Sequence, residues 1–130
     1  MAGKCSRAVS LLADYMNKTD ETKEFISGWK SAIRFELSGE EPFGLIFDGE
    51  GSVVFRNERI ENPDVIFYSN SEVFYKLITG REDQDEAFSN GLVEVKGSIF
   101  DSVKFRHAAE LTQEKHSTLF TTLRALSRFT

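Results

Sequence analysis

The chain has 130 residues, 40% of them apolar and 28% charged, the size and balance of one globular domain. A chain of this length buries roughly 65–70% of its unfolded surface and needs no disulfide or metal to stay folded. Its formal net charge of −5 argues against nucleic acid as a partner, because that binding rests on Lys and Arg neutralising phosphates, and against strong attraction to anionic lipid surfaces.

Residues 7–17 read as a helix, with Val9, Leu12, Ala13 and Met16 at helical spacing. Thr19 or Asp20 can cap a second helix, since Glu21 and Glu24 follow in its first turn, and Phe25, Ile26 and Trp29 form its apolar face. Period two then takes over. Ile33, Phe35 and Leu37 alternate with Arg34 and Glu36, and Phe43, Leu45 and Phe47 resume the alternation after a break at 38–42. Asp48-Gly49-Glu50-Gly51 signals a hairpin, with a return strand over Ser52–Arg56. Asn62-Pro63-Asp64 turns the chain into a fourth strand, Val65–Tyr68. Short turns between these segments predict an antiparallel meander of four strands.

The second half switches to helix. Ser69 or Ser71 can cap a helix carrying Val73, Phe74, Leu77 and Ile78, ended by Gly80. Asp83–Ser89 reads as a short helix and Leu92–Lys96 as a fifth strand, broken by Gly97. Ile99, Phe100, Val103 and His107 open a further helix, Thr112-Gln113 reads as a loop, and a last helix carries Leu119, Phe120, Leu123, Leu126 and Phe129. The sum is an α+β domain over 1–130, with residues 1–20 as an N-terminal helical extension. Its core is a five-stranded, mainly antiparallel twisted sheet with helices packed mainly on one face.

Catalytic patterns are absent. Cys5, near a mobile N-terminus, has no His or Asp nearby in sequence, and a single cysteine points to a reducing compartment. His107 and Glu110 share a helix face, but His116 follows a loop and no third ligand is in place, so no metal site is expected. No Gly-x-Ser-x-Gly turn is present, and Gly49-x-Gly51 suits a hairpin better than a dinucleotide loop. Asp83, Asp85 and Glu86 suit a helix start. Neither a signal peptide nor a membrane-spanning run is evident, and the final Ser-Arg-Phe-Thr is no peroxisomal address, which together read as cytoplasmic with no stable membrane insertion.

From residue 62 to 105 the order of motifs is distinctive. Pro63-Asp64 announces a strand, Ser69-Asn70-Ser71 opens a helix that closes Leu77-Ile78-Thr79-Gly80, and Ala87-Phe88 precedes Asn90-Gly91. Val93-Glu94-Val95-Lys96-Gly97 and Val103-Lys104-Phe105 complete the run, and Phe43-Gly44-Leu45-Ile46-Phe47 with Gly51 suits an early hairpin. In this the chain resembles the sterol carrier protein type-two lipid-binding domains, over about two-thirds of its length. Gly97-Ser98 stands where that family often has Gly-Asp. The resemblance implies an apolar tunnel between sheet and helices, a ligand such as a sterol, fatty acid or acyl-CoA, and no shared catalytic residue.

A lipid site needs concave apolar walls with few polar groups. Phe is abundant here, 12 residues against three Tyr and one Trp, and offers apolar area without a polar tip. The candidate walls are Phe25, Ile26 and Trp29, Phe35 and Phe47 from strands, and Phe74, Leu77, Phe100 and Val103 from later helices. Leu119, Phe120, Leu123 and Leu126 of the last helix form a candidate cover. Arg56, Arg59 or Arg106 could meet a lipid carboxylate or a CoA phosphate at a cavity mouth. The expected function is non-catalytic binding, and transfer, of a hydrophobic small molecule or lipid, with no cofactor. The alternative is a protein-interaction or accessory domain with a filled core, homodimerising or serving a partner enzyme.

Overall fold

The helical spacing of Val9, Leu12, Ala13 and Met16 puts all four in the core of the computed structural model, which describes residues 3–79 and 84–126. They lie on helix α1 (Lys4–Met16). Cys5, expected in a mobile end, is fully buried on the same helix, and its thiol donates to the Ser71 carbonyl at 3.1 Å. Helix α2 (Asp20–Ile26) follows Thr19, with Asp20 and Glu21 against the positive end of the helix dipole. It stops sooner than its apolar spacing predicts. Gly28 takes a φ of 82°, a left-handed conformation open to glycine, and the chain turns there into strand β1 (Ser27–Ser38). Trp29 therefore belongs to a strand and does not share a helical face with Phe25 and Ile26.

On β1 the alternation holds, with Trp29, Ser31, Ile33, Phe35 and Leu37 all buried on one face. Strand β2 (Phe43–Glu50) pairs antiparallel with β1, and β3 (Val53–Arg56) with β2. At the β2–β3 turn, Asp48 accepts from the Glu50 and Ser52 amides at 2.7 and 3.2 Å.

The fourth strand corrects the meander. Strand β4 (Val65–Asn70) pairs with β1 in parallel, Ile33 opposite Val65 through Ser38 opposite Asn70. Residues 57–64 cross the outer face of the sheet to reach it. Ile60 is buried on that path, and its carbonyl accepts from Arg34 Nη1 at 3.1 Å. Asp64 then fixes the register: its N–H donates to the Ala32 carbonyl at 2.8 Å and its carboxylate accepts from the Ala32 N–H at 2.7 Å. Strand β5 (Glu94–Gly97), shorter than the expected Leu92–Lys96, pairs antiparallel with β4. The order is β3-β2-β1-β4-β5, mostly antiparallel with one parallel pair, an α+β fold.

Helix α3 (Ser71–Ile78) is capped by Asn70, not by either flanking serine; its side chain accepts from the Val73 amide at 2.8 Å. Helix α4 (Gln84–Ser89) follows. Helix α5 (Ile99–Lys115) is capped by Ser98, whose hydroxyl accepts from the Asp101 amide at 3.1 Å. Thr112 and Gln113, expected in a loop, continue α5, and α6 (Ser117–Leu126) comes after it. The expected helix stop at Gly80 and the start at Asp83 lie outside the described residues.

Helices α1, α2, α3 and α5 pack against one another and over the sheet face that carries Phe35. Phe35 is the hub. Its ring stacks on Phe43 and Phe67 at 5.1 and 5.5 Å and meets the edges of Phe74 and Phe105 at 5.3 and 5.6 Å.

Candidate functional site

Between β4, α3 and α5 the aromatic packing leaves a partly open cleft of about 10 Å³, roughly the space of one water molecule. Phe67 comes from β4, Phe74, Leu77 and Ile78 from α3, and Phe105, Arg106 and Ala109 from α5. Arg106 is the one charged side chain in this lining. Gln113, one turn beyond Ala109, holds the end of the cleft: its amide donates to the carbonyls of Leu77 and Ile78 at 3.2 and 2.5 Å. These carbonyls belong to the last turn of α3, and the Gln113 amide, bonded to both, sets the spacing of α3 from α5.

The far end of α5 is pinned to the sheet. Asp101 accepts from Trp29 Nε1 at 2.9 Å and from the Ser31 hydroxyl at 3.0 Å, while its place in the first turn also meets the helix dipole. Lys104 lays its ammonium 4.3 Å from the Phe25 ring centre. Buried hydroxyls of Thr22 and Thr112 bond at 2.8 Å and tie α2 to α5. Helix α5 is thus held at both ends, and the cleft lies along its middle.

Of the wall residues expected from the sequence, Phe74 and Leu77 line the cleft. Phe35 is buried behind it, in ring contact with Phe67, Phe74 and Phe105. Ile26 is buried at the end of α2, and Trp29 and Phe47 are buried further along the sheet, where they meet at 4.3 Å between ring centres. Phe25 and Leu119 are half-buried against the core, and Phe120 is buried. Phe100 and Val103 face outward, 69% and 38% exposed. The side chains of Leu123 and Leu126 lie outside the described residues.

Phe67, Ile78, Phe105 and Ala109 were not among the expected walls. The signal in α5 is misleading for a physical reason. Its buried face is Ser102, Phe105, Ala108, Ala109 and Thr112, mostly small side chains that let neighbouring helices approach, while Ile99, Phe100 and Val103 are larger but exposed. Phe67 was legible, since it alternates with buried Val65 along β4. Among the cations considered, Arg59 pairs with Glu36 at 3.4 Å, Arg56 lies exposed on β3, and Arg106 alone lines the cleft. His116 is spoken for by Thr19, at 2.9 Å, and among the described residues no group of three His, Cys, Asp or Glu could hold a metal. Burial, helped by the nearby Glu40 carboxylate and only partly opposed by the Ser71 hydrogen bond, pushes the pKa of the Cys5 thiol far up, so it is an inert core side chain.

The sheet order and the helices laid over one face are now joined by a family match covering residues 11–110, to the SCP-2 sterol transfer family. The chain belongs to that family. A curated relative, hydroxysteroid dehydrogenase-like protein 2 of Rattus norvegicus, is 28% identical over 89 residues, 67% of this chain but only 17% of the relative. The chain thus spans less than a fifth of that relative's length. Among solved structures, the ubiquinone synthesis protein UbiJ-SCP2 superposes with a TM-score of 0.61 at 21% identity, covering 80% of this chain and 86% of that one. Palmitated SCP2L2 from Aedes aegypti superposes with a TM-score of 0.59 at 12% identity, covering 84% and 95%. These likenesses give the fold, and membership of an SCP-2 family supports lipid binding and transfer in general terms. No helix of the described residues is long and apolar enough to cross a membrane.

Proposed function

We propose that the chain binds the hydrocarbon tail of a lipid by widening the cleft between β4, α3 and α5, and acts as a lipid carrier without chemistry of its own. The observation that carries this is the cleft itself: six apolar side chains and one cation, at the point where the Phe packing of an SCP-2 fold is incomplete. A palmitated neighbour of the same fold is consistent with an acyl ligand. The cleft of about 10 Å³ is far below the roughly 300 Å³ of a small-molecule pocket, so binding must separate α3 from α5 and rotate Phe rings aside. Helix α6 would act as the cover.

Calorimetric titration of the delipidated protein with fatty acids of increasing length tests the reading. Each buried CH₂ contributes about 0.8 kcal/mol, so affinity should climb about fourfold per carbon until the cavity is full. A flat response across the series, or no heat at all, contradicts it.

A second reading rests on a different observation. Ile99 and Phe100 at the start of α5 are 66% and 69% exposed, with Leu92 also exposed just before β5. An outward apolar patch on a filled core suits an accessory module that docks on a partner enzyme or a second copy. A pull-down with the protein in place of lipid, lost on Phe100→Ser, would favour this reading over the carrier.

A further inference from the structure

We propose that two copies of this chain pair antiparallel along strand β5, joining their sheets edge to edge in a single register; this rests on the outward-patch reading above and is independent of the carrier reading. The two edges of the sheet differ. At the β3 edge, Asn17 takes the place of a neighbouring strand: its side-chain amide donates to the Val53 carbonyl and its side-chain oxygen accepts from the Val53 amide, both at 2.8 Å. Among the described residues nothing does the same for β5. The Ser98 amide donates to the Asp64 carbonyl at 2.9 Å, which sets the phase of the β4–β5 ladder. Bonding to β4 therefore falls to Lys96 and Glu94, opposite Ile66 and Tyr68, and the backbone groups of Val95 and Gly97 point away from the sheet. Such an edge is a template for a further strand.

Charge selects both the partner and the register. Glu94 and Lys96 are exposed on the same face of β5. The registers that overlap most of β5 and let outward groups meet have their twofold axis at Glu94, Val95 or Lys96. An axis at Glu94 or at Lys96 sets like charges directly opposite one another, which is destabilising. An axis at Val95 lets its N–H and C=O bond reciprocally with those of the partner's Val95, and sets each Glu94 opposite the partner's Lys96. A lysine on an edge strand ordinarily repels a second copy, and Glu94 removes that repulsion in this register alone. The same register lays Leu92 opposite the partner's Ser98, beside the partner's Ile99 and the partner's Phe100. Side chains exposed in the single chain thereby cover one another. The strand has four residues, so the pair is a weak one, with a dissociation constant of about 10–100 µM.

The experiment is sedimentation velocity on the whole chain, from about 1 to about 300 µM, a range that brackets the expected dissociation constant. The expected result is a reversible shift from monomer to dimer. Glu94→Lys and Lys96→Glu each set like charges opposite one another, and each should weaken the dimer about tenfold or more, with circular dichroism checking that both variants stay folded. Mixed in equal amounts, the two variants should associate with each other, because every opposed pair is again of unlike sign. A dimer indifferent to both charge variants but lost on Phe100→Ser overturns the β5 pairing and leaves the outward-patch reading standing. A monomer at every concentration also overturns the pairing, and is what an extended segment of a different protein on this edge would give. A monomer together with no Phe100-dependent capture in the pull-down overturns the patch reading as well.

Discussion

Glu40 caps a helix to which it does not belong. It sits in the β1–β2 turn, yet its two carboxylate oxygens accept from the Cys5 and Ser6 amides at 2.9 and 3.0 Å, the orphan donors of the first turn of α1. The Ser71 hydroxyl, at the start of α3, donates to the same carboxylate at 2.5 Å. One side chain thereby ties together a turn and two helix starts. Partial burial raises its pKa, but the bonds from Ser71, Cys5 and Ser6 outweigh that and hold it below the ordinary carboxylate value. The folded state therefore binds this proton less tightly than the unfolded chain does. Its stabilisation is complete above the unfolded value of about 4.3 and is lost as pH falls through the lower folded value. Glu40→Gln should cost about 1–2 kcal/mol near neutral pH by chemical denaturation, and should flatten the acid limb of the stability profile. An unchanged midpoint would show that water replaces the cap without loss.

At the scale of elements, Gly97 shows why a strand ends where it does. It takes a φ of 103°, and a Cβ there would run into the carbonyl of Asp64, which accepts from the Ser98 amide at 2.9 Å. Gly97→Ala should destabilise by about 1–3 kcal/mol and loosen β5 from β4, read by thermal denaturation and by amide exchange along β5. Strands and helix starts such as these were legible because they follow from local chemistry: alternation in Ile33, Phe35 and Leu37, acidic residues at α2, glycine at the end of β5. Two things were not. Whether β4 lies beside β3 or beside β1 depends on Ile60 and Arg34 packing across the outer face, a long-range contact with no local period. The buried side of α5 is written in Ser102, Ala108, Ala109 and Thr112, which apolarity counts pass over, so the reading favoured the exposed Ile99, Phe100 and Val103. Phe105 and Ala109 of the cleft were missed for that reason, while Phe74 and Leu77, with the strong apolar spacing of α3, were found.

At the scale of the molecule, the fold divides into a pinned part and a part that can give way. Asp101 with Trp29 and Ser31, the Thr22–Thr112 pair, and Glu40 with α1 and α3 hold the sheet and the near ends of the helices. The space between α3 and α5 is held chiefly by apolar contact and by the Gln113 amide, and there the packing is already incomplete. Apolar contacts can be traded for contacts with a hydrocarbon tail at little net loss, whereas broken hydrogen bonds between buried groups cannot. This is why a carrier would open here and not along β1. The most direct measurement is a titration of isotopically labelled, delipidated protein with palmitate, followed through backbone amide chemical shifts. The account predicts the largest changes along β4, α3 and the middle of α5, around Phe67, Leu77 and Ala109, with β2 and β3 little affected. Changes confined to the exposed start of α5 around Phe100, or none at all with palmitate in excess, would contradict it.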